Sequence, residues 1–227
     1  MGIAGTAPAF SIEVTKSTIL AAVGMLAPAS IFYCGLIMLG IAFAFINLNK
    51  VYPSAGTSYT WVSKIFGRGL GFFTGWSLLA AVCLFMVSGT LPIANATLLL
   101  ISPEHVNNVN YVAIISVIWL TLVTAIVLKG IKASSIVQTT ITLVEMVIML
   151  VLLIGGFVMF SGSPVNAPSI GWFLPTGFTS TLFVTGALTA MFFYWGWDVI
   201  LNLSEETKEK NHTPGKAVFL AMISLIV

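Results

Sequence analysis

Carboxylates inside long apolar segments are the residues of this sequence with the clearest chemical potential. Glu145 lies near the middle of the apolar run Ser135–Phe160. A charged group there costs about 2.5–3.5 kcal/mol on insertion scales, so we expect its side chain to face protein or water. Two interpretations remain open. Glu145 is either a site that couples movement of a proton or cation, or a neutral carboxyl group hydrogen-bonded to a neighbouring helix.

Two further acidic side chains lie within apolar segments. Glu13 and Lys16 are three residues apart and therefore share one face of a helix. They form either an ion pair close to the outer surface, or Glu13 contacts the amine of a substrate. Asp198 follows Gly196 and Trp197 near the inner end of its segment, where we expect it to bond to a loop.

The other reactive side chains do not form a catalytic or metal-binding set. His105 and His212 fall in different connections, no metal-ligand spacing occurs, and the serines of the apolar segments have no nearby base. Cys34 and Cys83 lie within apolar runs, as reduced packing residues do. The sequence therefore predicts neither an enzyme nor a cofactor or metal site.

The composition indicates that these residues belong to a membrane protein. The chain has 227 residues, of which 58% are hydrophobic and 7% are charged, and its mean hydropathy is +1.06. Soluble domains carry roughly 25% charged residues, because their surface must be solvated. A soluble enzyme, a nucleic-acid binder and a disordered segment are therefore excluded. The predicted fold class is an all-α polytopic membrane protein.

Apolar runs approach the roughly 20 residues that a helix needs to cross a bilayer. The predicted spans are Ile3–Met25, Pro28–Leu48, Leu70–Leu100, Tyr111–Leu128, Ser135–Phe160, Phe178–Leu203 and a last one from about Ala217. The third is long for one crossing and contains Pro92, which predicts a tilted or kinked helix. The apolar segments at both ends of the sequence suggest a fragment or a truncated chain.

The distribution of basic residues predicts the orientation of the spans. Eight of the nine Lys and Arg residues lie in the connections 49–69, 129–134 and 204–216, whereas Ser102–Asn110 and Ser161–Gly177 contain none. The positive-inside rule assigns the basic connections to the cytoplasm. We therefore expect a multi-pass protein of the cell membrane.

Two interruptions of the apolar helices occur at matching positions. Pro8 removes an amide proton and clashes with the preceding turn, which predicts a break in the first span. Gly196 lies among aromatic residues in the sixth span. Discontinuous helices at corresponding positions are typical of transporter sites. Freed amides bind a carboxylate and freed carbonyls bind an ammonium group, so a zwitterion of amino-acid size fits.

Several motifs resemble those of the amino acid–polyamine–organocation permease superfamily. They are Pro53–Val62 followed by Phe66-Gly67 and Gly71–Trp76, then Lys129–Ser134, and finally Phe192–Asp198 with Ser204–Lys208 and Thr213-Pro214. The resemblance implies part of a five-plus-five inverted-repeat (LeuT-type) fold with broken helices one and six. Residues 1–227 would form a single transmembrane domain, with a first repeat of about 1–160 and the start of a second at about 178–227.

The same resemblance implies a substrate site. The substrate backbone would bind the unwound parts of helices one and six, which correspond to Ala7, Pro8, Ala9, Phe10 and Ser11 and to Phe192, Phe193, Tyr194, Trp195 and Gly196. Phe192 would be the gating aromatic residue. Ala81, Val82 and Met86 would line the side-chain pocket, unless they serve helix packing alone. Glu145 occupies the helix-five position at which some proton-coupled relatives carry a lysine.

The function expected from this resemblance is secondary-active, proton-coupled amino acid transport by alternating access, or a fragment of such a permease. A transporter-like sensor or assembly subunit that does not transport is the alternative, and a polyamine or cationic amino acid is the alternative substrate. The expected partners are the substrate, a coupling proton or cation, and the lipid bilayer, without nucleic acid or cofactor. The oligomeric state is open.

Overall fold

The computed structural model describes residues 2–160, 162 and 169–226, and this part of the chain contains helices and no strand. The α-helices are α1 (Gly2–Thr6), α2 (Pro8–Val23), α3 (Ala27–Val51), α4 (Thr57–Phe66), α5 (Arg68–Ile101), α6 (Val109–Leu128), α7 (Ile131–Phe160), α8 (Ser180–Phe193) and α9 (Thr213–Ile226). The 3₁₀ helices are Gly24–Leu26, Pro103–His105, Ile170–Phe173, Pro175–Gly177 and Trp197–Glu206.

Five helical stretches in this described part are long and apolar enough to cross a membrane. They are Gly2–Val51, Arg68–Ile101, Val109–Leu128, Ile131–Met159 and Ser180–Glu206. The first stretch has 50 residues and contains both of the first two predicted spans. Gly24, with a φ of 56°, ends α2 inside it. The all-α polytopic class is therefore confirmed.

The start of the last helix differs from the sequence prediction. The last helix begins at Thr213 instead of about Ala217, because Pro214 can occupy the first turn of a helix, where its missing amide proton costs nothing. The sixth span divides into α8 and the 3₁₀ helix Trp197–Glu206. The predicted outer connection 161–177 includes residues 161 and 163–168, which lie outside the described residues.

The chain divides into two compact units, which we describe separately. The first comprises the described residues of Met1–Thr57 and Gln138–Val227, and the second comprises Ser58–Val137. The predicted single transmembrane domain and its repeat boundaries remain predictions.

Small residues allow the helices of the first unit to approach closely. In this unit α2 and α3 pack against α8, and α3 also packs against α9. A Cβ at Gly186 would lie 2.9 Å from the Cβ of Ser30, and one at Gly215 would lie 2.9 Å from Cγ2 of Ile46. Helices in lipid gain their stability from this close van der Waals packing, because lipid tails are as apolar as the side chains.

In the second unit, α5 packs against α6. The 34-residue α5 is a single helix that contains Pro92, as the sequence predicted. The indole nitrogen of Trp119 donates a hydrogen bond of 3.0 Å to the Thr97 hydroxyl. This bond satisfies a polar group on each helix within an apolar environment, where an unpaired donor would be costly.

The connection between α5 and α6 is polar and contains the acidic residue Glu104. The Ser102 hydroxyl donates a hydrogen bond to Glu104 and lies 2.8 Å from Nδ1 of His105. The bond from Ser102 is the main cause that lowers the pKa of Glu104 below its usual range. Because this connection contains no Lys or Arg, the positive-inside rule places it outside the cell.

Candidate functional site

The first membrane helix is interrupted between α1 and α2. Ala7 separates the two helices with φ 42° and ψ 67°, a left-handed conformation that L-residues adopt at a cost of about 1–2 kcal/mol. Pro8 begins α2, where its fixed φ suits the first helical turn. The break that the sequence predicted just before Pro8 is therefore confirmed.

The second interruption follows α8. The α-helix ends at Phe193, Gly196 has a φ of +95°, and the chain continues as the 3₁₀ helix Trp197–Glu206. A positive φ of this kind is readily available to glycine, because it has no Cβ to clash with its own backbone. The break predicted at Gly196 is therefore also confirmed.

The two breaks lie against each other within the first unit. A Cβ on Gly5 would be only 2.5 Å from the carbonyl oxygen of Gly196. A Cβ on Gly196 would in turn lie 2.9 Å from the carbonyl carbon of Gly5, with the oxygen closer still. Only two residues without side chains permit this approach. The two broken helices therefore face each other at their breaks.

Hydrogen bonds within the protein use the polar groups of the first break. The Ala7 amide donates to the Ala4 carbonyl at 3.3 Å. The Ser11 hydroxyl donates to the Thr6 carbonyl at 2.6 Å, and the Ser11 amide donates to Ala7 at 2.9 Å. Pro8 has no amide proton. One further hydrogen bond joins this stretch to α7.

Glu145 on α7 supplies that bond. Its Oε1 accepts a hydrogen bond of 2.6 Å from the backbone amide of Ala9, in the first turn of α2. A carboxylate is stabilised there by the amide proton and by the positive end of the helix dipole. The neighbouring-helix hydrogen bond considered from the sequence is present. Whether Glu145 also couples a proton remains a prediction.

The predicted residues of the first break differ in accessibility. Pro8 and Ser11 are buried, whereas Ala7, Ala9 and Phe10 are partly exposed. The structure thus brings the helix-one residues together with Glu145, although 136 positions separate Glu145 from Ala9.

The predicted residues of the second break differ in exposure. Phe193 and Tyr194 are buried, and the Tyr194 hydroxyl donates a hydrogen bond of 3.0 Å to the Ile31 carbonyl on α3. Phe192 and Trp195 are 66% and 47% exposed. In this arrangement Tyr194 anchors the break to α3, while Phe192 and Trp195 are available for contact.

The other predicted site residues take no part in these hydrogen bonds. Ala81, Val82 and Met86 lie on α5 in the second unit, where Val82 and Met86 are exposed. Glu13 is exposed and forms an ion pair with Lys16, one of the two arrangements that the sequence left open. Within the described residues, no group of three or more His, Cys, Asp and Glu side chains could hold a metal ion.

A cavity of about 230 Å³ lies in the first unit between α1, α7 and α9. Its lining residues are Gly2, Ile3, Ala4, Thr139, Thr142, Leu143, Ala217, Leu220, Ala221 and Ser224. Thr142 lies three residues before Glu145, so the two side chains share one face of α7. Sequence reasoning missed this cavity, because no pattern along the chain shows that these three segments converge.

Three hydrogen bonds hold the end of α3 and the segment after it to the region that follows the second break. The Ala55 amide donates to Oε1 of Glu205 at 2.9 Å, and the Thr57 hydroxyl donates to Oδ1 of Asn202 at 2.8 Å. The Asn49 side chain donates to the Lys210 carbonyl at 3.1 Å. These bonds fix the 3₁₀ helix Trp197–Glu206 at its inner end.

These features define a multi-pass membrane protein with two interrupted helices that meet at their breaks. The family described as "Amino acid permease" matches residues 2–227, and the chain belongs to that family. The resemblance to the amino acid–polyamine–organocation superfamily is therefore confirmed.

Several characterised transporters are similar to this chain. The low-affinity putrescine importer PlaP of Escherichia coli K12 is 28% identical over 201 residues, which cover 86% of this chain and 42% of the importer. The mitochondrial cationic amino acid transporter 3 of Arabidopsis thaliana is 24% identical over 184 residues, covering 74% and 29% of the two chains. The branched-chain amino acid permease BcaP of Lactococcus lactis is 45% identical over 40 residues, covering 18% and 9%.

The chain thus spans less than half the length of the relatives it matches. No solved structure shows significant similarity to it.

Proposed function

We propose that this chain provides the central site of a secondary-active permease for amino acids or related organic amines. The observation that carries the proposal is the direct contact between the two breaks at Gly5 and Gly196 in a member of the amino acid permease family. Unwound backbone at membrane depth is tolerated only where it is buried in protein or lines a cavity. The breaks therefore form the substrate site.

The names of the relatives support an amine-bearing substrate. Putrescine, cationic amino acids and branched-chain amino acids all carry an amino group, and proteins named for each are similar to this chain. Transport proceeds by alternating access, in which the elements around the breaks open the site to one side and then to the other. The exposed Phe192 covers the site as its aromatic gate.

Glu145 is the proposed coupling group. Its carboxylate holds the Ala9 amide at the start of α2 by a charge-assisted hydrogen bond, which is roughly twice as strong as a neutral one. Protonation removes the charge and weakens this contact. The protonation state of Glu145 on α7 is thereby linked to the conformation of the first break.

The test is uptake of labelled amino acids and amines into vesicles that contain the full-length protein. Glu145→Gln keeps an oxygen that accepts from Ala9 but cannot exchange a proton, so we expect uptake to lose its dependence on the proton gradient. Glu206→Gln, at an exposed inner position, is the matched control. An unchanged gradient dependence in Glu145→Gln would assign Glu145 to structure alone. No uptake of any compound would favour a transporter-like sensor.

A further inference from the structure

One face of α6, in the second unit, forms a groove that runs along the helix. The volume of this α6 groove is about 570 Å³, within the range of about 300–1,000 Å³ that is typical of ligand clefts. The Thr121 hydroxyl donates a hydrogen bond of 2.8 Å to the Val117 carbonyl of the same helix. Apart from Lys129 at one end, the groove therefore offers an apolar surface. Its lining residues are Val117, Ile118, Thr121, Leu122, Ala125, Ile126 and Lys129.

The α6 groove does not include the residues that bond α6 to α5. The Ser116 hydroxyl donates to the Thr90 carbonyl at 3.4 Å, and the Trp119 indole donates to the Thr97 hydroxyl at 3.0 Å. Neither Ser116 nor Trp119 lines the groove. Val117, which does line it, is 61% exposed in the part of the chain that the structure describes. Within the second unit, the groove is thus open to an occupant from the bilayer.

The length of the α6 groove matches one leaflet of a bilayer. From Val117 to Lys129 the helix advances by about 18 Å, at about 1.5 Å per residue. Half of a hydrocarbon core of about 30 Å is about 15 Å. Lys129 comes directly after the last residue of α6, in a connection that the positive-inside rule assigns to the cytoplasm. The groove therefore begins at the inner membrane surface and extends to about the depth of one acyl chain.

The inner end of the α6 groove carries positive charge without acidic neighbours in the sequence of its unit. Lys129 and Lys132 are both exposed, and neither forms an ion pair with the residues that the structure describes. The acidic residue of positions 58–137 is Glu104, in the connection at the other end of α6. By contrast, the inner connection 204–216 contains three glutamates and three lysines. The charge of Lys129 and Lys132 is therefore not balanced within the second unit.

We propose that the α6 groove binds an anionic phospholipid of the inner leaflet, with one acyl chain along α6 and the phosphate headgroup at Lys129 and Lys132. Lysines beside the inner membrane surface attract anionic lipids. The phosphate oxygens accept charge-assisted hydrogen bonds from the ammonium groups. A zwitterionic lipid makes the same apolar contacts but brings its own positive group to the two lysines. The site therefore selects lipids by headgroup charge, and this selection requires neither a substrate nor transport.

Two lipids with the same acyl chains test the proposal. Purified full-length protein in neutral detergent would be titrated with palmitoyl-oleoyl phosphatidylglycerol or with palmitoyl-oleoyl phosphatidylcholine, and bound lipid would be measured by native mass spectrometry. Each lysine near an anionic headgroup contributes about a fivefold gain in affinity. We therefore expect the wild type to bind the anionic lipid at least about tenfold more tightly than the zwitterionic one. Equal affinities, or no bound lipid, would overturn the proposal.

Charge variants test the headgroup position. Lys129→Gln should lower the preference for the anionic lipid about fivefold, and the double variant Lys129→Gln with Lys132→Gln should remove it. Lys129→Arg keeps the charge and should keep the preference. Lys216→Gln removes an equal charge from the mixed-charge inner connection and should leave the preference unchanged. A preference that survives in the double variant, or that falls equally in Lys216→Gln, would contradict the assignment to Lys129 and Lys132.

A variant that fills the α6 groove tests the acyl-chain position without a change of charge. Ala125→Phe places a large side chain in the groove, so it should lower the preference for the anionic lipid about as far as Lys129→Gln does. Val127→Phe is the matched control, because Val127 is exposed on α6 but does not line the groove. Retention volume on size-exclusion chromatography checks that each variant folds. An unchanged preference in folded Ala125→Phe would show that the lipid does not occupy the groove.

Discussion

Substitution of Gly196 by alanine tests whether the two breaks meet as described. Gly196 combines a φ of +95° with a position at which a Cβ would lie 2.9 Å from the carbonyl carbon of Gly5. The left-handed conformation alone costs an alanine about 1–2 kcal/mol. Insertion of a methyl group against backbone that cannot move aside costs about a further 1–3 kcal/mol. Together the two effects destabilise the fold by about 2–5 kcal/mol.

Gly130 is a control for the positive φ. It has a φ of +98°, and no atom lies within 4 Å of the position of its Cβ. Gly130→Ala should therefore carry only the conformational cost of about 1–2 kcal/mol. Gly5→Ala isolates the steric contribution, because Gly5 lies within α1 and its Cβ would be 2.5 Å from the Gly196 carbonyl oxygen.

The measurement is the melting temperature of the purified full-length protein in detergent, followed by intrinsic fluorescence. Gly196→Ala should lower it at least twice as far as Gly130→Ala, because it adds the steric cost to the conformational cost. Gly5→Ala should also lower it. Equal shifts for Gly196→Ala and Gly130→Ala, with no shift for Gly5→Ala, would refute the close contact of the breaks.

One further prediction concerns an anchor of the second break, and another concerns the first break. Tyr194→Phe removes the hydroxyl that donates to the Ile31 carbonyl and should lower the stability by about 0.5–1.5 kcal/mol. The same melting experiment measures this loss. An unchanged melting temperature would show that the bond contributes nothing. Ala7→Gly relieves the left-handed strain at φ 42° and should change stability by less than about 1 kcal/mol, because the greater freedom of glycine in the unfolded chain offsets the gain. A large loss of stability in Ala7→Gly would show that the alanine methyl group packs against the site.

The helix breaks were predictable because their causes are local. Pro8 lacks an amide proton, and its ring excludes a continuous helix at the preceding residue, whatever packs around it. Gly196 alone was a weaker indication of a break. The prediction rested on its position in the sixth span, which matches that of the break in the first span. The start of the last helix at Thr213 was missed for a related reason, since the prediction followed apolar character and gave no weight to Pro214 as a first-turn residue.

The partner of Glu145 could not be predicted in the same way. Insertion energetics required a partner for a carboxylate at membrane depth, but the amide of Ala9 lies 136 positions away. The burial of Tyr194 was equally inaccessible, because the sequence places it within an aromatic run whose members face in different directions. Phe192 is 66% exposed, whereas Tyr194, two residues later, is fully buried. Only the packing of α3 against α8 distinguishes them.

Glu145 supplies the first break with a stabilising hydrogen bond that residues near the break in the sequence do not provide. Ala7 is held in a left-handed conformation that costs about 1–2 kcal/mol, a cost that nearby contacts must offset. The bond from Ala9 to Glu145 is a charge-assisted contact in that turn, and such bonds contribute about 1.5–3 kcal/mol. The strain and its compensation are of similar size. Under the proposed function, a proton on Glu145 would therefore change which conformation of the break is favoured, as alternating access requires.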